Sequence, residues 1–176
     1  MKAYCEEFNH ILIFSGSSYE GYEYIDSKYI HSRIDETILT NFVNIQIKNP
    51  TQHSLIIVDD PLGWSKDLKK PIVQTILSTY RHLRISIVTC TQYGYILSPQ
   101  LRECCSNCCI FDFGTKRALN ALYETFAMSK FEKIEDFRLA LKQLKSSQHE
   151  FLFYSKKDNK WIITCIEPVE DFKINF

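Results

Sequence analysis

Several things are scarce in this 176-residue chain, and each scarcity excludes something. Neither sign of charge is in excess: Lys+Arg and Asp+Glu both number 21, and the sequence pI is near 6.9. Overall basicity therefore gives no argument for nucleic-acid binding, although a local basic patch stays open. Glycine and proline number only five each, which excludes a collagen, a linker or a low-complexity chain. No apolar run reaches the roughly 18 residues of a spanning helix, and the opening MKAYCEEFNH has no apolar signal-peptide region. Seven cysteines is an odd number, and a chain this rich in core residues needs no disulfide staples. A reducing, cytosolic setting with buried free thiols is the expectation.

What is present is an alternation of short apolar runs and helical patterns. Asn9 to Phe14 (NHILIF), Ser54 to Val58 (SLIIV), Ile85 to Cys90 (ISIVTC) and Cys109 to Phe113 read as strands. Between them, Asp35 to Lys48 carries Ile38, Phe42 and Ile45 at helical spacing, with Asp35 placed to cap and Asn49-Pro50 to stop it. Leu68 to Leu83 suits a helix with Pro71 in its first turn, and Pro99 to Cys105 a short one. Lys116 to Met128 and Ile134 to Leu144 are periodic as well, and Tyr19 to Tyr29 reads as an irregular connection. Glu150 to Tyr154 and Trp161 to Ile166 flank KKDN as a hairpin. The pattern predicts one α/β domain over residues 1–176, a mainly parallel sheet covered on both faces and closed by a C-terminal β-hairpin.

Ligands of open α/β sheets bind beyond the carboxyl ends of the strands. Asp59-Asp60 follows LIIV at one such end, and Thr91-Gln92 follows ISIVTC at the next. Adjacent carboxylates at the end of a buried strand repel each other and resist desolvation, and a Mg²⁺ ion relieves both because hard cations take carboxylate and water oxygens. Taken alone, a solvated loop start explains the acid pair slightly better, and a simple strand-end polar pair is the better account of Thr91-Gln92.

The ordered set LIIVDD, TYRHLRISIVTCTQ and LSPQLRECCSNCCIFDF, with FSGSSYEGYEYIDSKYIH before it, resembles the P-loop ATPases of the FtsK–HerA superfamily. More narrowly it resembles the DNA-packaging ATPases of poxviruses and other large DNA viruses, from about Asn9 to Phe176. The resemblance implies a three-layer P-loop ATPase fold and roles residue by residue. Asp59 would hold Mg²⁺ through water, and Asp60 would position or deprotonate the attacking water. Gln92 would sense the γ-phosphate of ATP, and Arg102 would reach a neighbouring subunit's phosphate. Arg81, ahead of its strand, would serve an assembly or structural role. The implied partners are ATP, duplex DNA in the channel of a homo-oligomeric ring, and capsid or portal components. The implied location is the host cytoplasm or the virion, with no membrane involved.

One element is missing. G-x-x-x-x-G-K-[ST], whose backbone amides cradle phosphates and whose Lys neutralises them, occurs nowhere, and SGSSYEG at Ser15 lacks the Lys-Ser/Thr pair. In the family the strand, loop and helix of this motif precede the segment that NHILIF resembles, and the strand lies between those resembled by Ile85–Cys90 and Cys109–Phe113. Its loss would leave those two strands to close up or to frame a slot of unpaired amides, each costing about 1–3 kcal/mol when buried. The expectation is therefore the C-terminal portion of a longer motor ATPase, inactive alone; the alternative is a non-catalytic relative acting as an assembly or DNA-binding scaffold.

Other patterns carry less. Cys105 and Cys108 have C-x-x-C spacing without a second pair, so small core thiols are expected rather than zinc. The five histidines show no i, i+4 pairing. Lys66, Lys69, Lys70 and Lys156, Lys157, Lys160 read as solvated faces, and no stacking platform with interleaved basic residues is evident.

Overall fold

The computed structural model describes residues 8–16, 21–23, 25–61, 63–64, 66–111, 115–144 and 149–165. They fall into two compact units that divide after Gln92.

The first unit is built on a parallel sheet of order β2-β1-β3-β4: β1 His10–Ser15, β2 Ile30–His31, β3 Ser54–Asp59 and β4 Ile85–Cys90. The two-residue β2, paired in parallel with Ile13 and Phe14, emerges from the stretch that sequence reads as irregular; it is too short to leave a periodic signal. Helix α1 (Glu36–Lys48) begins where Asp35 accepts hydrogen bonds from the Thr37 and Ile38 amides at 2.8 and 3.0 Å. At its other end the buried Gln46 side chain donates to the carbonyls of Asn49 (3.2 Å) and Gln52 (2.8 Å) and accepts from Ser54 Oγ. That bracket fixes where β3 starts, and hence where it ends. Helix α2 (Pro71–Thr79) is shorter than its apolar pattern. The chain tightens to a 3₁₀ turn over Tyr80–Leu83, and Arg84, in the left-handed region at φ 52°, turns it into β4. The core against one face of the sheet gathers Ile11, Ile13, Ile25, Ile30 and Leu55.

The second unit holds an antiparallel sheet of order β5-β6-β7: β5 Asn107–Ile110, β6 Glu150–Ser155 and β7 Lys160–Cys165. β6 and β7 form the expected hairpin, turning through KKDN with Asn159 at φ 46°. β5 starts two residues earlier than the apolar pattern suggests; Phe113 and Ile166 lie outside the described residues. Helix α3 (Pro99–Cys104) is capped by Ser98, and helix α4 (Lys116–Leu122) by Thr115. α4 runs on as a π turn over Tyr123–Ala127, where the Met128 amide bonds the Tyr123 carbonyl at 3.0 Å. Helix α5 (Ile134–Lys142) buries Phe137 and Leu141 in a core with Ile110, Ala127, Leu144 and Leu152.

The architecture is thus the α/β type expected, a mainly parallel sheet and a C-terminal hairpin. β4 is the last strand of one sheet and β5 of the other. Among the described residues no helix is long and apolar enough to cross a membrane.

Candidate active site at the carboxyl rim of the parallel sheet

The sheet register brings the candidate residues level. Ser15 pairs with Asp59 and Asp59 with Cys90, so these three end their strands on one line. The residues one and two steps beyond, Gly16, Asp60, Thr91 and Gln92, form the rim. The backbone ties it together: the Gly16 amide donates to the Asp59 carbonyl at 2.9 Å, and the Asp60 amide to the Cys90 carbonyl at 3.0 Å.

Asp60 leaves the strand in the left-handed region, at φ 45°. This is uncommon for a residue other than glycine, though aspartate tolerates it better than most, and strained positions cluster at functional sites. One surrounding is visible: Gly16 lies so near that a Cβ there would sit 2.2 Å from the Asp60 carbonyl oxygen and 3.4 Å from the Trp64 ring. The absence of a side chain at position 16 lets the two strand ends meet.

The two carboxylates then face different partners. Asp59 Oδ2 accepts from Ser15 Oγ at 3.2 Å. Asp60 Oδ2 lies 3.5 Å from Gln92 Nε2, at the outer limit of a hydrogen bond. Asp60 Oδ1 is buried and has no hydrogen-bond partner among the described residues. A buried carboxylate oxygen without a donor is costly, about 1–3 kcal/mol or more, and is the kind of atom that a cation, or a water held by one, satisfies.

The rim suits Mg²⁺ in the sparse manner that ion prefers, with one or two carboxylates and the remaining positions taken by water and substrate phosphate. Asp60 Oδ1, Asp59 and the Ser15 hydroxyl are hard oxygen donors of that kind. Among the described residues no group of three or more His, Cys, Asp or Glu forms an all-protein metal cage. A triphosphate grip is another matter: among the described residues no glycine-rich amide cradle or Lys-Ser/Thr pair accompanies the rim.

Asp59, Asp60 and Gln92 are therefore assembled on one rim. Arg102 belongs to the second unit and is buried, with 9% of its surface exposed. Its Nε donates to Thr125 Oγ1 at 2.9 Å, and its Nη1 to the carbonyls of Leu97 at 2.6 Å and Gly94 at 3.4 Å. Arg81 stands in the 3₁₀ turn before β4, at the opposite end of the sheet from Asp60, with Nε 3.0 Å from the Tyr80 hydroxyl. Lys70 spans Glu36 (3.0 Å) and the buried Asp67 (3.3 Å), and Asp67 also accepts from Arg33 at 2.7 Å. Lys156 donates to the Glu103 carbonyl at 2.7 Å. Burial pushes the Cys108 thiol up to about 12, with the neighbouring Cys105 and Cys109 adding to it; but of the described cysteines none is fully buried, and Cys90, Cys109 and Cys165 are exposed, so the expectation of buried core thiols does not hold.

Sequence reasoning missed Ser15 and Gly16. The signal was SGSS after β1, which fails as a phosphate loop; its actual contribution, a hydroxyl on Asp59 and a gap for Asp60, depends on a strand pairing 44 residues away in sequence.

No protein-family model matches the chain, and no curated protein matches it. Solved structures do. The chain is similar to B204, the DNA-packaging ATPase of Sulfolobus turreted icosahedral virus, with a TM-score of 0.66 and 18% identity over 92% of this chain and 85% of that one. It is also similar to the genome-packaging NTPase B204 of Sulfolobus turreted icosahedral virus 2. In complex with AMP that structure gives a TM-score of 0.65, 16% identity and coverage of 92% and 85%. In complex with ATP-gammaS it gives 0.63, 16%, and coverage of 90% and 82%. At these identities the likeness establishes the fold alone, an α/β fold shared with B204.

Proposed function

We propose that this chain is the hydrolytic, C-terminal portion of an ATP-driven viral DNA-packaging motor of FtsK–HerA type. The observation that carries the reading is the orphaned, buried Asp60 Oδ1 beside Gln92 on the rim of β3 and β4. The B204 structures bound to AMP and ATP-gammaS lend support, because they attach nucleotide binding to this fold.

In the reaction, water attacks the γ-phosphorus of ATP and ADP leaves. Asp60 orients that water and takes its proton; its unusual backbone and its approach to Gly16 hold the carboxylate at the strand end. Gln92, whose amide nitrogen carries two N–H donors, reports whether the γ-phosphate is present by donating one hydrogen bond to it and the other to Asp60. Asp59, steadied by Ser15, is the residue that would hold Mg²⁺. Bound Mg²⁺ supplies neutralisation of phosphate charge. Arg102 would reach a neighbouring subunit's phosphate only by releasing the Gly94 and Leu97 carbonyls; held as it is, it works by bracing its loop.

The phosphate cradle would come from a segment of the protein outside these 176 residues. Support comes from β4, whose outer edge is an apolar parallel strand with no partner among the described residues. A strand laid parallel to it would end on the same rim and deliver its loop beside Asp59 and Asp60. The assembled motor would be a homo-oligomeric ring around duplex DNA, engaging capsid or portal components in the host cytoplasm or virion.

The test is to read the coding sequence upstream of Met1 and assay the longer chain. The expected result is an in-frame GxxxxGK[ST] and a DNA-stimulated ATPase whose kcat falls about 100-fold or more in Asp60→Asn. A longer chain without the motif, or an Asp60→Asn variant at full rate, would overturn the proposal. The lack of that motif in the 176 residues favours a second reading, a non-catalytic assembly scaffold, which predicts no change in melting temperature on adding ATP and Mg²⁺.

A further inference from the structure

The second unit contains a feature that the hydrolytic reading does not use. An open cleft of about 500 Å³ is lined by Tyr95, Lys116, Arg117, Asn120, Ala121 and Glu124. This is within the range of about 300–1,000 Å³ typical of small-ligand sites. Its wall is a stack: the Arg117 guanidinium lies 4.4 Å from the centre of the Tyr95 ring, and the Tyr93 ring stands 5.5 Å from Tyr95 on a 33° tilt.

The stack is built rather than incidental. Tyr95 sits on a short 3₁₀ turn, Gly94–Ile96, and that turn is clasped by Arg102 through the Gly94 and Leu97 carbonyls. Arg102 is itself anchored to α4 by Thr125, whose hydroxyl donates to the Ala121 carbonyl at 2.7 Å. Gly94 allows the approach: a Cβ there would meet Leu122 at 3.0 Å. A buried cation thus fixes the loop that carries Tyr95 against the helix that carries Lys116, Arg117, Asn120 and Glu124.

The chemistry of the lining is that of a base-and-phosphate site. Unpaired bases stack on aromatic rings and on guanidinium planes. An Asn side-chain amide, donor and acceptor in one plane, matches a base edge. The exposed Lys116 ammonium is a phosphate partner. Glu124 accepts hydrogen bonds only, so it favours bases with an exocyclic amine, and it discourages a cluster of phosphates. Duplex DNA, with its bases stacked inside, offers the phosphates but no free base face or edge.

We propose that the Tyr95–Arg117 cleft binds an unpaired nucleobase together with its phosphate, an amino-bearing base preferentially. The source is either a free nucleotide or a single strand, and the assay separates them. The full chain would be titrated with AMP, with ribose 5-phosphate as a base-free control, with fluorescent dA and dT 12-mers and with a duplex of the same length. Binding of AMP alone assigns the cleft to mononucleotides, and tighter binding of the dA 12-mer assigns it to single strands; either supports the proposal. Tyr95→Leu should weaken binding about fivefold or more, Arg117→Gln likewise, and Glu124→Gln should narrow the dA-over-dT preference. Arg117 and Glu124 are exposed, so those variants keep the test valid should Tyr95→Leu disturb the fold. Ribose 5-phosphate or the duplex binding as well as AMP or dA, no binding at all, or binding unchanged by Arg117→Gln would each overturn it.

Discussion

β1 and β4 both run parallel to β3, one on each side, and read alike in sequence: HILIFS and ISIVTC. Their environments are opposite. Five of the six β1 residues are buried, with Ile13 and Phe14 at 0% and 1% exposure, while in β4 only Ile85 is buried and Val88 is 47% exposed. The difference arises from position in the sheet. The Arg84 and Cys90 carbonyls accept from Ser54 and Asp60, so the backbone groups of the even-numbered residues face β3 and those of Ile85, Ile87 and Thr89 turn outward. β4 also lacks the usual guards of an edge, having no charge and no proline. Among the described residues nothing pairs with that outer edge.

Substitutions sharpen the contrast, and the largest effects belong to β1. Phe14→Ala should destabilise by about 3–5 kcal/mol in denaturant titrations, while Val88→Ala should change stability by no more than about 0.5 kcal/mol. Equal effects at the two sites would mean that β4 is covered in solution. Next in size is Gly16→Ala, whose Cβ must displace Asp60; a loss of about 1–3 kcal/mol is expected, together with altered amide shifts for Asp60.

Asp67, outside both strands, supplies a pH test of smaller size. The hydrogen bond from Arg33 holds its carboxyl below the ordinary value, despite burial. A lowered folded value means that the unfolded chain takes up the proton first. The stabilisation is thus complete above about pH 4 and fades as pH falls towards the folded value. Asp67→Asn should lose about 1–3 kcal/mol at neutral pH and flatten that acid limb; an unchanged acid limb would remove the pair from the account. The smallest effect is a rate: in hydrogen exchange the Ile87 and Thr89 amides should exchange faster than those of Ser86 and Val88. Uniform protection along β4 would contradict an open edge.

The same contrast explains what was legible in the sequence. Strand identities were readable because apolar β-branched runs bounded by polar ends are local, and ISIVTC matches β4 residue for residue. Helix α1 was readable because Asp35 and Asn49-Pro50 mark both ends. Asp59, Asp60 and Gln92 share a rim because strands that end in register place their following residues together. Sequence could not show that β4 is an edge, since a buried and an exposed apolar strand are spelled alike. Nor could it show the Tyr95–Arg117 stack, whose halves lie 22 positions apart, or that the guanidinium of Arg102 is spent on carbonyls inside the second unit.

The rim itself is tested most directly by titrating Mn²⁺, a paramagnetic substitute for Mg²⁺, into the ¹⁵N-labelled chain and following line broadening residue by residue. Selective broadening of the Ser15, Gly16, Asp59, Asp60 and Gln92 amides, abolished in Asp59→Asn, is the predicted result. Broadening centred elsewhere, or persisting undiminished in Asp59→Asn, would contradict a metal-holding role for Asp59.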